Sequence, residues 1–401
     1  MRILFLSRWY PYPVDNGSKI RIWNILHGLS KKHDVTLLSF VDSDSSNLGE
    51  SKLLEICEDV QVIPWREYNP GSWKALIGWF SRKPRSLVDT YSFQMQSLIE
   101  QYLSSSIYDI VIVSEWEMAG YSSSFCDKPA IFEDVELGVI HGRYMEAASY
   151  LARLRLGLTW YKQHHYLSQI LHDFEACTVP SFNERNLFKS VIPGYENVSV
   201  IPNCINMADY ESDHIDVEPN SLIFTGSFRY AVNYSAMVWF LKKIYPIIQS
   251  EVPEVNLKIT GDHAGRELPP STDVVLTGFV PDIHQYIASS CVSVVPLLNG
   301  GGTRLKILEA MALKTPVVTT SKGAEGLDVE HGKHILIADS PEDFANCVIQ
   351  LLQNPELRAR LAENAYQLVS EFYDWETVMP HFLQLIEDTA FASKSPISTD
   401  S

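Results

Sequence analysis

Short, mostly apolar runs alternate with longer stretches of helical spacing along this chain, and the alternation runs through twice. Residues 2–7, 35–40, 60–64 and 110–113 form the first set; residues 222–226, 257–261, 274–277, 292–296, 316–320 and 334–337 form the second. A strand that is apolar at every position, rather than at alternate ones, is buried on both faces and needs helices on both sides. The pattern therefore predicts an α/β fold of two doubly wound, Rossmann-like parallel-sheet domains. At 401 residues the chain has the length for them. Residues 203–220, acidic and Pro-containing, read as an exposed linker between the two sets. In such sheets ligands bind beyond the carboxyl ends of the strands, and two such domains side by side form a central cleft.

One loop carries more chemistry than the rest: Asn299-Gly300-Gly301-Gly302-Thr303-Arg304-Leu305-Lys306-Ile307-Leu308-Glu309. Three glycines open onto a helix-forming run whose first turn holds two cations. A helix N-terminus already carries partial positive charge, so stability alone would favour Asp or Glu there. A bound anion reconciles the pattern, because free N–H groups, close-approaching glycine backbone and cations all suit phosphate. Glu309, further along, can accept hydrogen bonds from sugar hydroxyls.

The net charge of −17 argues against nucleic acid as a partner, since phosphate backbones need a basic surface. The six cysteines, Cys57, Cys126, Cys177, Cys204, Cys291 and Cys347, show no CxxC spacing. They read as reduced, mostly buried thiols, with no zinc site or disulfide framework. The first residues hold too short an apolar run for a signal peptide. No window approaches the roughly 18 apolar residues of a membrane helix. A cytoplasmic protein is expected, with room for contact at the inner face of the membrane. Residues 73–87 and 150–166 mix cations with aromatic and aliphatic side chains, the composition of an interfacial helix, although a core helix with a solvated basic face has the same composition.

The motifs together resemble a GT-B-fold glycosyltransferase of the GT4 type (glycosyltransferase group 1). The residues that carry the resemblance are the opening strand and Gly loop (1–21), Val200-Ile201-Pro202-Asn203, Leu222-Ile223-Phe224-Thr225-Gly226-Ser227, Gly278-Phe279-Val280-Pro281-Asp282 and the block 296–326. Arg8 to Arg21, with Phe224-Thr225-Gly226 and Tyr230 to Asn233, further resemble a bacterial sugar-transferase subgroup linked to exopolysaccharide assembly. The resemblance implies an acceptor-side domain over 1–205, completed by a C-terminal helix 375–390, and a donor-binding domain over 206–374, with 391–401 as a disordered tail. It implies a retaining hexosyltransferase reaction from a nucleoside-diphosphate sugar to a glycan or lipid-linked acceptor. No cofactor and no catalytic metal are expected. A non-catalytic nucleotide-sugar-binding relative and a nucleotide-sugar epimerase remain alternatives. A dinucleotide-dependent oxidoreductase is disfavoured, because no G-x-G-x-x-G follows a strand.

The same resemblance assigns roles. Glu309 is the second of two donor-motif glutamates, and the first falls on Gly301, so a side-chain contact to the donor sugar is missing there. Diphosphate is expected near Arg304, Lys306, Gly302, Thr303 and the loop Gly226-Ser227-Phe228-Arg229, the two cations stabilising the leaving group. Arg229 reads equally as an exposed loop cation. Gly17 is placed near the donor phosphates, Phe279 and Val280 at the base, and Glu325 in a loop near the donor. Lys19 and Arg21 read as solvated cations, with contact to acceptor or phosphate as the alternative. The histidine that many relatives carry after the fourth strand is replaced by Ser114. Asp134, near a strand end, is the candidate to orient the acceptor or take its proton. It could equally cap the following helix.

Overall fold

The structure, a computed structural model, describes residues 1–14, 16–42, 50–125, 128–210, 215–300 and 302–392. Its described residues divide into two compact units, one from Met1–Ile201 and Met379–Ser401, the other from Pro202–Val378.

In the first unit, β1 (Arg2–Ser7), β2 (Asp34–Val41), β3 (Asp59–Pro64), β4 (Ile110–Ser114), β5 (Ala130–Glu133), β6 (Ala176–Val179) and β7 (Val198–Val200) form a sheet in the order β3-β2-β1-β4-β5-β6-β7. Every pairing among them is parallel. Residues Ile3 to Leu6 are wholly buried, as the unbroken apolar run requires. The order reverses between β1 and β4, so the crevice of this sheet opens at the carboxyl ends of those two strands. The helix Gly17–Ser30 follows β1 and is capped by Asn16, whose side chain accepts from the Lys19 N–H at 3.1 Å.

The second unit repeats the plan. Here β8 (Glu218–Thr225), β9 (Asn256–Thr260), β10 (Val274–Gly278), β11 (Ser290–Val295), β12 (Val317–Thr319) and β13 (Leu336–Ile337) run parallel in the order β10-β9-β8-β11-β12-β13. Its switch point lies between β8 and β11. Side chains alternate across β8. Leu222 and Phe224 join Phe240 and Phe344 on one face, while Ile223 joins Ile307, Leu308 and Met311 on the other. Burial of that last trio fixes the helix Leu305–Ala312 against the sheet, and so fixes Arg304 at its N-terminus.

Four local readings change. Cys204 and Ile205, within the expected exposed linker, are buried, and Ile205 exchanges backbone hydrogen bonds with Tyr373 and Trp375. An apolar residue in an acidic stretch is held at the junction between two helices by an isolated bridge to Asp374. The helical spacing of residues 237–248 predicts one continuous helix, but the structure has a helix (Ala231–Trp239), a π-turn (Phe240–Ile244) and a second helix (Tyr245–Glu251). Pro246 lacks the N–H that would continue the ladder, and the wider turn accommodates it. The strands β6 and β7 were not isolated from sequence, being four and three residues long. The last helix, Trp375–Ala392, includes Phe391 and Ala392, which the sequence reading gives to the tail; residues 393–401 lie outside the described residues.

Candidate active site

The two loops at the switch point of the second unit are bound to each other by one side chain. The Lys306 ammonium donates to the Thr225 carbonyl, at the end of β8, and to Asn233 Oδ1 at 3.0 Å. It also lies 4.4 Å from the centre of the Phe224 ring. Asn233 in turn donates to the Ser227 carbonyl at 2.9 Å. Gly226 sits inside this arrangement at φ +147°, and a Cβ there would lie 2.7 Å from Lys306 Nζ. Burial, reinforced by the charge of Arg304, depresses the Lys306 ammonium to about pKa 7, with Glu309 opposing.

Gly226 is pressed equally by its other neighbour. A Cβ on Gly261, which has φ +116°, would meet the Gly226 carbonyl carbon at 2.8 Å. Backbone cannot swing aside as a side chain can. Gly261→Ala is therefore expected to destabilise the second unit by about 1–3 kcal/mol, read as a lowered thermal midpoint. An unchanged midpoint would mean that the two loops are not packed this closely.

Glu309 follows Lys306 by three residues on the same helix and is partly buried. Tyr210 Oη approaches Glu309 Oε1 at 3.4 Å, and the Tyr210 ring packs on His284 at 4.5 Å between centroids. Burial raises the Glu309 carboxyl, and Lys306, His284 and Tyr210 pull it back. Tyr210 is itself raised, first by burial and then by Glu309. Neither Tyr210 nor His284 was picked out from sequence. Tyr210 lies in the supposed linker, and no local pattern announces a partner 99 residues away.

The remaining donor-side candidates sit around this centre. Thr303 is approached by Asn203 Nδ2 at 3.4 Å. Gly302 precedes it with positive φ, and Gly301 lies outside the described residues. Arg304 is buried, and a Cβ on Gly300 would be 3.2 Å from its Nη2. Glu325, after β12, pairs with Lys322 at 2.7 Å. Arg229 is exposed and paired with Asp262, which holds that carboxyl below its usual range. Phe279, after β10, is 86 % exposed, with Val280 beside it partly buried.

Gly17 and Asp134 belong to the first unit, at the carboxyl edge of its sheet. Lys19 and Arg21 are not solvated there. Both are buried, and Arg21 pairs with Glu133, wholly buried on β5, at 2.5 Å between Nη2 and Oε1. Ser114, standing where a histidine was sought, donates to Glu133 Oε2 at 3.0 Å. Asp134 lies 3.8 Å from Arg21 Nε, with φ +62°. Its backbone N–H donates to Thr178 Oγ1. It precedes no helix directly, so the capping alternative lapses: the next helix begins at Gly138, and Glu184 accepts from the Leu137 and Gly138 N–H groups.

Sequence reasoning also missed Glu115. It stands at φ 74°, ψ 163°, a backbone region that is nearly restricted to glycine. Burial holds its carboxyl well above the ordinary range, with Glu117 and Asp134 adding to the shift and the Ser18 hydroxyl and Arg8 opposing it. A strained residue at a sheet's switch point has a physical claim to function, though its conformation leaves no trace in composition. Among the described residues no three His, Cys, Asp or Glu side chains gather as a metal site.

Comparison with known proteins accords with this geometry. Residues 219–354 match the family described as glycosyl transferases group 1. An uncharacterized 44.6 kDa protein in the cps region of Klebsiella pneumoniae is 23% identical over 393 residues, spanning 94% of this chain and 97% of that protein. The lipopolysaccharide core biosynthesis glycosyltransferase LpsE of Rhizobium meliloti is 31% identical over 153 residues, covering 34% of this chain and 43% of that one. Among solved structures, Anabaena Alr3699/HepE in complex with UDP-glucose superposes with TM-score 0.65 at 16% identity, over 97% of this chain and all of that one. Sucrose-phosphate synthase from Thermosynechococcus elongatus does so with TM-score 0.67 at 16% identity, over 98% and 99%. At that identity the solved structures speak for the fold, and the matched segment contains the switch-point loops and Glu309. The chain carries the two-domain GT-B fold, and its residues 219–354 match the glycosyl transferases group 1 family.

Proposed function

We propose that this protein moves a hexosyl group from a nucleoside-diphosphate sugar to a glycan or lipid-linked acceptor, with retention of configuration and in the GT4 manner. The observation that carries the donor half is the convergence of Gly226, Arg304, Lys306 and Glu309 at one switch point. Glu309 accepts from the ribose hydroxyls. Gly226, Gly302, Thr303 and the two cations hold the diphosphate, and the cations stabilise the charge that develops on it as it leaves. This reaction asks for no cofactor and no metal. Phe279 and Val280 meet the base, Glu325 and Arg229 border the donor, and Gly17 approaches its phosphates. In the first unit Asp134 takes the acceptor proton, with the strained Glu115 a second carboxyl able to do so. The UDP-glucose bound by the Anabaena neighbour supports a uridine nucleotide sugar as donor. The cps-region and lipopolysaccharide-core relatives support surface-polysaccharide synthesis, and we place the protein in the cytoplasm, at the inner face of the membrane.

Glu309→Ala tests the donor half. Losing a hydrogen-bonding carboxylate costs about 1.5–3 kcal/mol, so calorimetry with UDP-sugars should show affinity falling by roughly 10- to 100-fold. Unchanged affinity would remove Glu309 from the donor site. Transfer or slow donor hydrolysis that survives a chelator is the expected result for metal-free catalysis, and loss of activity would refute it.

A further inference from the structure

A chain of net charge −17 would be expected to scatter acids over every surface. Two segments hold none. Residues 73–87 contain Lys74, Arg82, Lys83 and Arg85, and residues 150–166 contain Arg153, Arg155 and Lys162, with no Asp or Glu in either. The structure brings the two segments together. Lys162, buried on the helix Tyr150–Ile170, donates to the carbonyls of Gly78 at 2.8 Å and Trp79 at 2.9 Å. Arg85 braces the same turn, donating to the Ala75 and Pro70 carbonyls and lying over the Trp79 ring.

Apolar side chains are left outside at this junction. On the helix, Leu151, Leu154, Leu158 and Tyr161 are all exposed, Leu151 at 79 %. At about 100° per residue they fall within an arc of roughly 80°. Arg155 lies about 40° beyond one edge of that arc and Arg153 about 80° beyond the other, both exposed. Lys162 lies close to the same face one turn on, so the Trp73–Phe80 stretch extends the arc. There Trp73, Leu76, Ile77 and Phe80 are exposed, Phe80 at 94 %. Nothing in the fold of this unit needs these side chains in water. Apolar residues rimmed by cations, on an acidic protein, complement a surface that is apolar within and anionic at its rim.

We propose that this two-segment patch docks onto the anionic surface of a lipid bilayer, with Phe80, Trp73, Leu151 and Leu154 entering the headgroup–acyl boundary and Arg82, Lys83, Arg153 and Arg155 meeting lipid phosphates. The charge asymmetry selects this occupant: four exposed cations, Arg82, Lys83, Arg153 and Arg155, rim the apolar side chains, and neither segment contributes an acid that a basic partner surface would need. The inference stands apart from the donor reading, since none of these residues belongs to the second unit.

The full-length protein should co-sediment with phosphatidylcholine vesicles containing phosphatidylglycerol, only weakly with phosphatidylcholine alone, and less as salt rises. Arg153→Glu with Arg155→Glu should lower anionic-vesicle binding by about tenfold or more, as should Phe80→Ser with Leu151→Ser and Leu154→Ser. Thermal midpoints and UDP-sugar affinity should stay at wild-type values, which separates failure of docking from failure of the donor site or of folding. Absence of wild-type binding to phosphatidylglycerol vesicles, or undiminished binding by both variants, would overturn the proposal. So would a concentration-dependent dimer that the serine variant disperses, which would give the patch to a second copy of the chain.

Discussion

Arg21→Met should destabilise the first unit by about 3–5 kcal/mol, the cost of removing one partner from a buried ion pair. Glu133 is wholly buried, and Arg21 supplies two of its contacts, Nη2 at 2.5 Å and Nε at 2.6 Å, so that among the described residues the Ser114 hydroxyl is the side-chain partner left when it is gone. Even in the wild type, burial raises the Glu133 carboxyl to about 7 against the pull of Arg21. A carboxyl whose folded pKa exceeds its unfolded value near 4.3 binds more protons when folded between the two. Its contribution to stability is therefore complete below about pH 4.3 and declines as pH rises to about 7. Without Arg21 the folded pKa rises further and the decline continues to higher pH. The loss in Arg21→Met should consequently be largest above neutrality and shrink in mild acid, where Glu133 is protonated. Denaturant titrations at both pH values measure this. Glu133→Gln added to Arg21→Met should recover much of the loss at high pH. A loss of the same size at both pH values would show that packing, not charge, is what Arg21 contributes.

That pair also marks where the sequence stopped being readable. The strand β1 was plain because burial on both faces leaves an unbroken apolar run, a signal carried by adjacent residues. Arg21 was read as solvated because its charge was weighed without its helix face. It stands with Ile25 and Gly28 at positions i, i+4 and i+7, and all three are buried. The face was legible, whereas the carboxylate waiting 112 residues away was not. The same division runs through the donor side. Charge at the wrong end of a helix pointed to Arg304 and Lys306, whereas Gly226 was reached only through the family resemblance. Tyr210 and His284 reach Glu309 only through the tertiary fold. Glu115 depends on a backbone conformation that no residue type encodes.

Lys306→Met should lower turnover by about 10²–10³-fold, the usual cost of removing one preorganised group that stabilises transition-state charge. Lys306 reaches the Gly226 turn from beneath, so its charge acts where the leaving diphosphate is proposed to lie. A second, qualitative signature separates this role from a merely structural one. The ammonium is depressed to about 7 by burial and by Arg304. The charged form stabilises an anion, and it is the form that disappears as pH rises. Wild-type kcat/KM, which reports ionisations of the free enzyme, should therefore fall above about pH 7, approaching tenfold per pH unit. In Lys306→Met that alkaline limb should be absent, because the group that titrates is gone. Stability moves the other way. A lysine depressed when folded binds fewer protons than the unfolded chain between about 7 and 10.4, so the second unit gains stability as pH rises through that window. Falling activity alongside rising stability cannot be mistaken for alkaline unfolding. An alkaline limb that persists in Lys306→Met would assign it to another group and leave Lys306 as no more than the tie between Thr225 and Asn233.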